Sequence, residues 1–158
     1  MLIHHLTSDE CEAVLRRSSI GRLGCARDNQ PYVVPISFKY DTALDHGKYL
    51  YSFANTGQKI EWMRGNPMVC VEVDDVADHV HWTTVIAVGR FEELTADRKA
   101  EADRAYDLLR MRRDWWLPAA AKSAEAQRYV PIVYRIRIDS MTGRRAARRP
   151  VIRSMRMR

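Results

Sequence analysis

Hydrophobic and polar positions alternate with a period of two over much of the chain, and with a period near 3.6 in three short windows. That pattern predicts a β-rich fold with a few inserted helices. The clearest alternation is Pro67 to Asp75, with Val69, Val71 and Val73 on one face and Cys70, Glu72 and Asp74 on the other. Val130 to Asp139 repeats it through Val133-Tyr134-Arg135-Ile136-Arg137-Ile138. Ile20 to Ala26, Tyr32 to Tyr40, Lys48 to Ala54 and His81 to Glu93 complete six predicted strands. Asp28-Asn29-Gln30 reads as the turn of a hairpin joining the first two. Gly21 and Gly24 allow close backbone approach or a bulge, and Gly89 marks a bend. Pro35 cannot donate to a ladder, so its strand lies at an edge, at a bulge or where the ladder opens.

Thr7 followed three residues later by Glu10 is a capping-box signature. It predicts a helix over Ser8 to Arg17 with Cys11, Val14 and Leu15 turned inward. Gln58 to Arg64 predicts a second helix, stopped by Gly65-Asn66-Pro67. Ala96 to Arg113 predicts a third, with Ala102, Ala105, Tyr106 and Leu109 on one face. Regular crossover helices do not separate the strands, which argues against parallel βαβ units. The fold expected is therefore mainly β: a small closed antiparallel barrel of six strands, in one domain spanning residues 1–142.

Composition changes this picture at one end. The chain has 158 residues and a formal net charge of +6, but residues 143–158 hold seven Arg and no acid. The remaining residues carry 19 bases against 20 acids, so the body is near neutral. Residues 143–158 are expected to be a flexible Arg-rich tail, one that could touch nucleic acid or an anionic membrane. Cys11, Cys25 and Cys70 are widely spaced, which suits a reducing cytoplasm and indicates neither a disulfide framework nor a zinc site. His79 and His81 flank Val80 and would share a strand face, but no carboxylate or Cys at ligand spacing completes a metal site. Trp115-Trp116-Leu117-Pro118 reads either as a hydrophobic cap on the last helix or as a cover for a ligand or interface.

The chemistry concentrates at Tyr49 to Pro67. An aromatic strand ends in the small loop Asn55-Thr56-Gly57, and Gln58 and Lys59 open a helix. Free amides and the positive end of the helix dipole make such a loop an anion site, to which Lys59 adds a full charge. The plainer reading keeps Lys59 as a solvated first-turn residue. Tyr51, Phe53 and Trp62 read as packing groups or as stacking groups.

Taken in order, Gly21-Arg22-Leu23-Gly24, Pro31-Tyr32-Val33-Val34-Pro35-Ile36, Gly57-Gln58-Lys59 and Asn66-Pro67-Met68-Val69-Cys70-Val71-Glu72-Val73-Asp74 resemble the pyridoxamine 5′-phosphate oxidase-related flavoproteins. The series is most similar to the branch that contains the nitroimidazole-resistance proteins. This resemblance implies an FMN-binding split barrel, a homodimer with flavin at the subunit interface, and an oxidoreductase acting on a small organic molecule with NAD(P)H as electron donor. It also implies site residues. Val34, Pro35, Ile36 and Ser37 would lie along the flavin ring, and Ser52, Phe53 and Ala54 would line the ring and ribityl chain. Gln58 and Lys59 would hold the phosphate, while Thr84, with Trp82 and Thr83 beside it, would face the flavin. Other readings on the same fold are a non-catalytic flavin sensor or store and a deazaflavin or haem binder.

The chain also departs from the family pattern. The segment Tyr134 to Arg145 does not match the Trp- and Arg-bearing end that holds substrate in the full pyridoxamine phosphate oxidases. Gln58 stands where those enzymes carry a second cation, and Ser52 stands where the nitroimidazole-resistance branch often carries a His. The resemblance thus implies flavin binding without implying vitamin B6 oxidation or nitroreduction, and it names no catalytic residue.

Overall fold

The computed structural model describes residues 2–43, 46–110 and 131–148. Among these, the strands are β1 (Leu2–His5), β2 (Ile20–Arg27), β3 (Gln30–Ser37), β4 (Lys39–Thr42), β5 (Lys48–Ala54), β6 (Met68–Asp78), β7 (His81–Glu93) and β8 (Ile132–Ala147). The helices are α1 (Ser8–Arg17), α2 (Gln58–Gly65) and α3 (Lys99–Arg110), the last entered through a 3-10 turn at Ala96–Arg98. All strand pairs are antiparallel, in the order β3-β2-β6-β7-β8-β5-β4, with β1 added along β8.

The mainly β, antiparallel expectation holds, with two corrections. The sheet has eight strands rather than six. β1 is one addition, and the other comes from the predicted Tyr32–Tyr40 strand, which breaks at Phe38. The Phe38 N–H donates to the Ser19 carbonyl at 2.9 Å. Beyond that point the chain leaves β2, and Lys39–Thr42 pairs with β5 instead. The barrel is also not closed by pairing, because β3 and β4 end the path as separate edges. Across this split Ser52 Oγ donates to the Ser37 carbonyl at 2.7 Å.

Local chemistry accounts for the connections. Thr7 Oγ1 accepts from the Glu10 N–H and Glu10 Oε2 accepts from the Thr7 N–H, so the capping box starts α1 as expected. Asp28 and Asn29 take φ of 51° and 63°, the left-handed pair that a two-residue hairpin turn needs to match strand twist. A Cβ on Gly89 would lie 2.1 Å from the Arg137 carbonyl oxygen. Only glycine fits there, and the β7–β8 register shifts between Val88 and Gly89. His79 lies in the β6–β7 turn and only His81 is in a strand, so the shared strand face expected for them does not form. His81 instead bonds Asp78 at 2.9 Å; with the Val80 and His81 N–H groups, it lowers that carboxyl to about 2.

β8 runs through Gly143, Arg144 and Arg145 to Ala147, paired with β7 on one side and β1 on the other. The boundary expected at residue 143 therefore falls inside a strand. Residues 149–158 lie outside the described residues, as do Trp115-Trp116-Leu117-Pro118 and the last turn expected of the third helix.

Two apolar clusters hold these elements. The larger fills the rolled sheet with Leu23, Val71, Val85, Tyr134 and Ile136, closed by Ile60 and Met63 of α2 and by Val14 and Leu15 of α1. The smaller joins Tyr49, Tyr51 and Val133 to Ala105 of α3. β5 divides its residues between them with period two: Leu50 and Ala54 go to the first, Tyr49, Tyr51 and Phe53 to the second.

Candidate functional site

β3, the end of β5 and the first turn of α2 converge at the split. β3 is an edge strand paired only with β2, opposing Arg22 to Pro35, Gly24 to Val33 and Ala26 to Pro31. The two prolines have no N–H to give, and pairs two residues apart in an antiparallel ladder are of one kind. Pro31, Val33, Pro35 and Ser37 therefore turn their main-chain groups away from β2 and toward the split. The Ser37 carbonyl that accepts from Ser52 is one of these groups. The edge is thus rich in acceptors and poor in donors, which suits a ligand that carries its own N–H and deters pairing with a stray strand.

α2 supplies the opposite charge. Its cap, Gly57, makes no side-chain hydrogen bond. The Ile60 and Glu61 amides both go to the Gly57 carbonyl, and the Gln58 and Lys59 amides are left without an intrahelical acceptor. Asn66 ties the other end of the helix to β2 through the Ala26 carbonyl at 3.0 Å. Ile60 and Met63 are fully buried, so the flank carrying Lys59 and Trp62 lies beside that buried stripe. Trp62 meets Tyr32 of β3 with ring centroids 5.6 Å apart. Lys59 is half-buried, and burial pulls its ammonium below the ordinary value of 10.5. It has no ion-pair or hydrogen-bond partner among the described residues.

Tyr134 lies behind Ser52 in the main core. It is wholly buried and opposes Ser52 across the β5–β8 ladder. Its hydroxyl has no well-formed hydrogen bond, although Ser52 and Cys25 lie close to it, and burial pushes it up to about 12. Sequence reasoning missed this group because alternation identified Tyr134 only as strand core. Tyr32 was missed in the same way. The Tyr40 and Tyr51 hydroxyls are likewise buried without a partner among the described residues, so it is the half-buried cation at the start of α2 that marks a place for a polar ligand.

The structure places Val34, Pro35, Ile36 and Ser37 on β3, Ser52 and Ala54 on β5, and Gln58 and Lys59 in the first turn of α2, and it joins Ser37 directly to Ser52. Val34 and Ile36 send their side chains to the main core, and Pro35 and Ser37 offer main chain. Phe53 belongs to the α3-side cluster, so it is close in sequence but on the other face. Trp82, Thr83 and Thr84 lie elsewhere. They pair with Ala146, Arg145 and Arg144 on β8, whereas Ser52 pairs with Tyr134. Ten to twelve residues of one strand separate the two groups, roughly 35 Å of strand path. Thr84 faces outward and donates to Glu72 Oε1 at 3.0 Å.

Comparison with known proteins gives three consistent matches and a family. The family model described as pyridoxamine 5′-phosphate oxidase matches residues 7–145. An uncharacterized protein of Rhizobium meliloti (strain 1021) is 34% identical over 151 residues, covering 92% of this chain and 97% of that protein. The crystal structure of an FAD-binding protein from Mesorhizobium loti is 40% identical with a TM-score of 0.75, covering 93% of this chain and all (100%) of that one. A candidate 5-nitroimidazole antibiotic resistance protein from Bacteroides thetaiotaomicron shares the fold, with a TM-score of 0.63 at 22% identity over 91% of this chain and 89% of that one.

Proposed function

The chain belongs to the pyridoxamine 5′-phosphate oxidase family, and from that premise we propose that it is a flavoprotein that seats the flavin phosphate on Lys59. The observation that carries this reading is the half-buried Lys59, without a partner among the described residues, at the uncapped start of α2. A phosphate answers both the bare amides and the cation. FMN is the smallest flavin with that group. Gln58 adds an amide donor beside it, and the acceptor-rich edge Pro35–Ser37 suits the imide edge of a flavin ring. Ser52 and Ala54 line the opposite wall.

We further assign the protein as an oxidoreductase acting on a small organic molecule with electrons from NAD(P)H. The flavin supplies the hydride and electron chemistry when bound. The chain binds, orients and shields it.

Two copies complete the site in this reading. Val33, Ile20 and Val76 are 65%, 64% and 61% exposed and share the outer sheet face with Ile86 and Val88. The Arg22 ion pairs with Glu72 and Asp74 cross the middle of this face, and a face that mixes exposed apolar residues with such pairs suits a partner. Self-association over this face hides it and offers Trp82 and Thr84 of one subunit to the split of the other. The distance between the two groups within one chain supports this arrangement.

The test is a visible spectrum of freshly purified protein with its native mass, then FMN titration followed by flavin fluorescence. Flavin absorbance, quenching on binding and a dimer mass are expected. Anaerobic mixing with NADH and with NADPH should bleach the bound flavin. Binding without bleaching moves the protein to the sensor or storage reading. A chain that carries no flavin and binds none sinks the proposal, and a haem or deazaflavin spectrum replaces it.

A further inference from the structure

We propose a second small-molecule site, a cavity under α3 on the far face of β5 from the split, that takes an uncharged carboxamide with an apolar body. The cavity holds about 660 Å³, room for one small organic molecule. Ala100, Arg104 and Leu108 of α3 form one wall, and Asp41, Ala43, Tyr51 and Arg135 form the wall on the sheet side. β5 alternates, so Tyr51 turns to the α3 side while Ser52 and Ala54 turn to the split. The site therefore stands apart from the flavin reading and does not rest on it.

At the inner end of this cavity charge is settled and hydrogen bonding is not. Arg135 is spent on Glu92 and on the Tyr49 ring. Arg104 aims Nε, at 3.0 Å, and Nη2, at 2.5 Å, at a single oxygen of Asp41, Oδ2, and Nη2 also donates to the Thr42 carbonyl at 3.2 Å. Asp41 Oδ1 and Arg104 Nη1 have no partner among the described residues. The Tyr51 hydroxyl is buried without a well-formed hydrogen bond, and the charged groups around it are Arg135, Arg104 and Asp41. An acceptor, a donor and a hydroxyl that can act as either are thus left open where the ion pairs are complete, although folding normally satisfies such groups. An ionic ligand would upset that balance of charge. A carboxamide keeps it: its NH2 donates to Asp41 Oδ1, and its carbonyl accepts from Arg104 Nη1 or from the Tyr51 hydroxyl. Ala43, Ala100 and Leu108 offer carbon surface to the rest of the molecule. Glu101 and Asp107 border the same cavity without an ion pair among the described residues, and they repel a carboxylate of similar shape.

Benzamide and benzoate, one ring with an amide or a carboxylate, are the probes, titrated by calorimetry into the wild-type protein. Benzamide is expected to bind with a Kd of about 1 mM or below, the scale for so small a ligand. Benzoate should bind at least about tenfold more weakly. Tyr51→Phe keeps the ring, removes a hydroxyl that has no partner in the chain, and should weaken benzamide about tenfold without lowering the melting temperature. Ala100→Trp, at an exposed position in the first turn of α3, fills the cavity from its rim and should abolish binding whether or not the first variant folds. FMN affinity should not change in either variant. No benzamide binding up to about 10 mM overturns the site. Benzoate bound as well as benzamide, or benzamide affinity unchanged in both variants, overturns it too. Displacement of benzamide by FMN would put the probe at the split and likewise overturn the site under α3, while the flavin reading would stand.

Discussion

Arg135 and Lys59 are both cations drawn out of water, and the protein treats them oppositely. Arg135, on β8 under α3, is 9% exposed and fully engaged. Its Nε donates to Glu92 at 2.7 Å and its guanidinium lies 4.1 Å from the centre of the Tyr49 ring. Arg98 reaches the same carboxylate at 3.0 Å. Lys59, at the split, is half-buried and has no partner among the described residues. Folding normally pairs the charge it buries, because an uncompensated one costs several kcal/mol or is neutralised. The Arg135 region meets its own electrostatic demand and is scaffold. The Lys59 region leaves a demand open, which an anion from outside can meet.

The largest effect is expected where the pairing is complete. Arg135→Met removes the guanidinium from Glu92 and Tyr49, and should destabilise the fold by about 2–3 kcal/mol, since a mostly buried acceptor loses its main donor. Arg98 still reaches Glu92, which keeps the loss below that of a fully orphaned charge. Denaturant melts measure it. FMN affinity of the folded fraction should stay unchanged, and a matching fall in affinity would remove the distinction between the two regions.

Lys59→Met should do the reverse. Deleting a charge-assisted contact to phosphate is expected to raise the FMN dissociation constant about tenfold to a hundredfold. Apo stability should not fall by more than about 0.5 kcal/mol, because no contact within the chain is lost. An apo protein markedly weakened by this change would show that Lys59 has a structural partner after all.

This asymmetry explains what the sequence disclosed. Lys59 was legible because its signal is local: a strand, a small loop, Gly57 and a cation at the start of a short helix. The same holds for the Thr7–Glu10 cap and the Val69-Val71-Val73 face. Arg135 was not legible as a buried group. Its neighbours Glu92, Tyr49 and Arg98 come from three other parts of the chain, and alternation placed it on a strand face without showing that α3 would cover that face. Arg144 and Arg145 misled for a related reason. Composition suggested a tail, while their strand state comes from pairing with Thr84 and Thr83 on one side and His5 and His4 on the other. β1 has only four residues, Leu2-Ile3-His4-His5, too few to show an alternation, and is a strand through that pairing. Phe53 needed only the parity already visible in the sequence. It cannot share a face with Ser52 and Ala54, and family likeness had grouped all three.

Ser52 tests the boundary between the two regions, since β5 serves both clusters. Ser52→Ala removes the hydrogen bond to the Ser37 carbonyl across the split and the polar group beside the Tyr134 hydroxyl. A loss of about 1 kcal/mol is expected for one buried bond. If the clasp sets the width of the split, FMN affinity should fall with it, by a few-fold rather than the larger factor expected at Lys59. Hydrogen exchange at β3 amides reports the clasp independently of ligand. Unchanged protection there would make Ser52 a filler of the core and not a fastening of the split.

The smallest effect is the most specific to an unmet charge. In the apo protein Lys59 titrates below its ordinary value of 10.5, because burial disfavours the ammonium. Between the folded and unfolded values the unfolded chain holds more protons, so this group makes stability rise with pH across that interval. Below the folded value the cost of the buried charge is present in full. Phosphate in the cradle reverses the sign, since an anion beside the ammonium raises its pKa and makes the charged form the favoured one. The stability difference between wild type and Lys59→Met isolates the effect, because the other lysines and tyrosines titrate alike in both. From pH 7 toward 10.5 the apo wild type should gain on the variant, while the flavin-loaded wild type should hold its advantage up to 10.5 and lose it only above that, as pH rises through the raised folded value. Parallel curves for the two proteins, with and without flavin, would leave Lys59 as an ordinary solvated lysine and remove the contrast with Arg135.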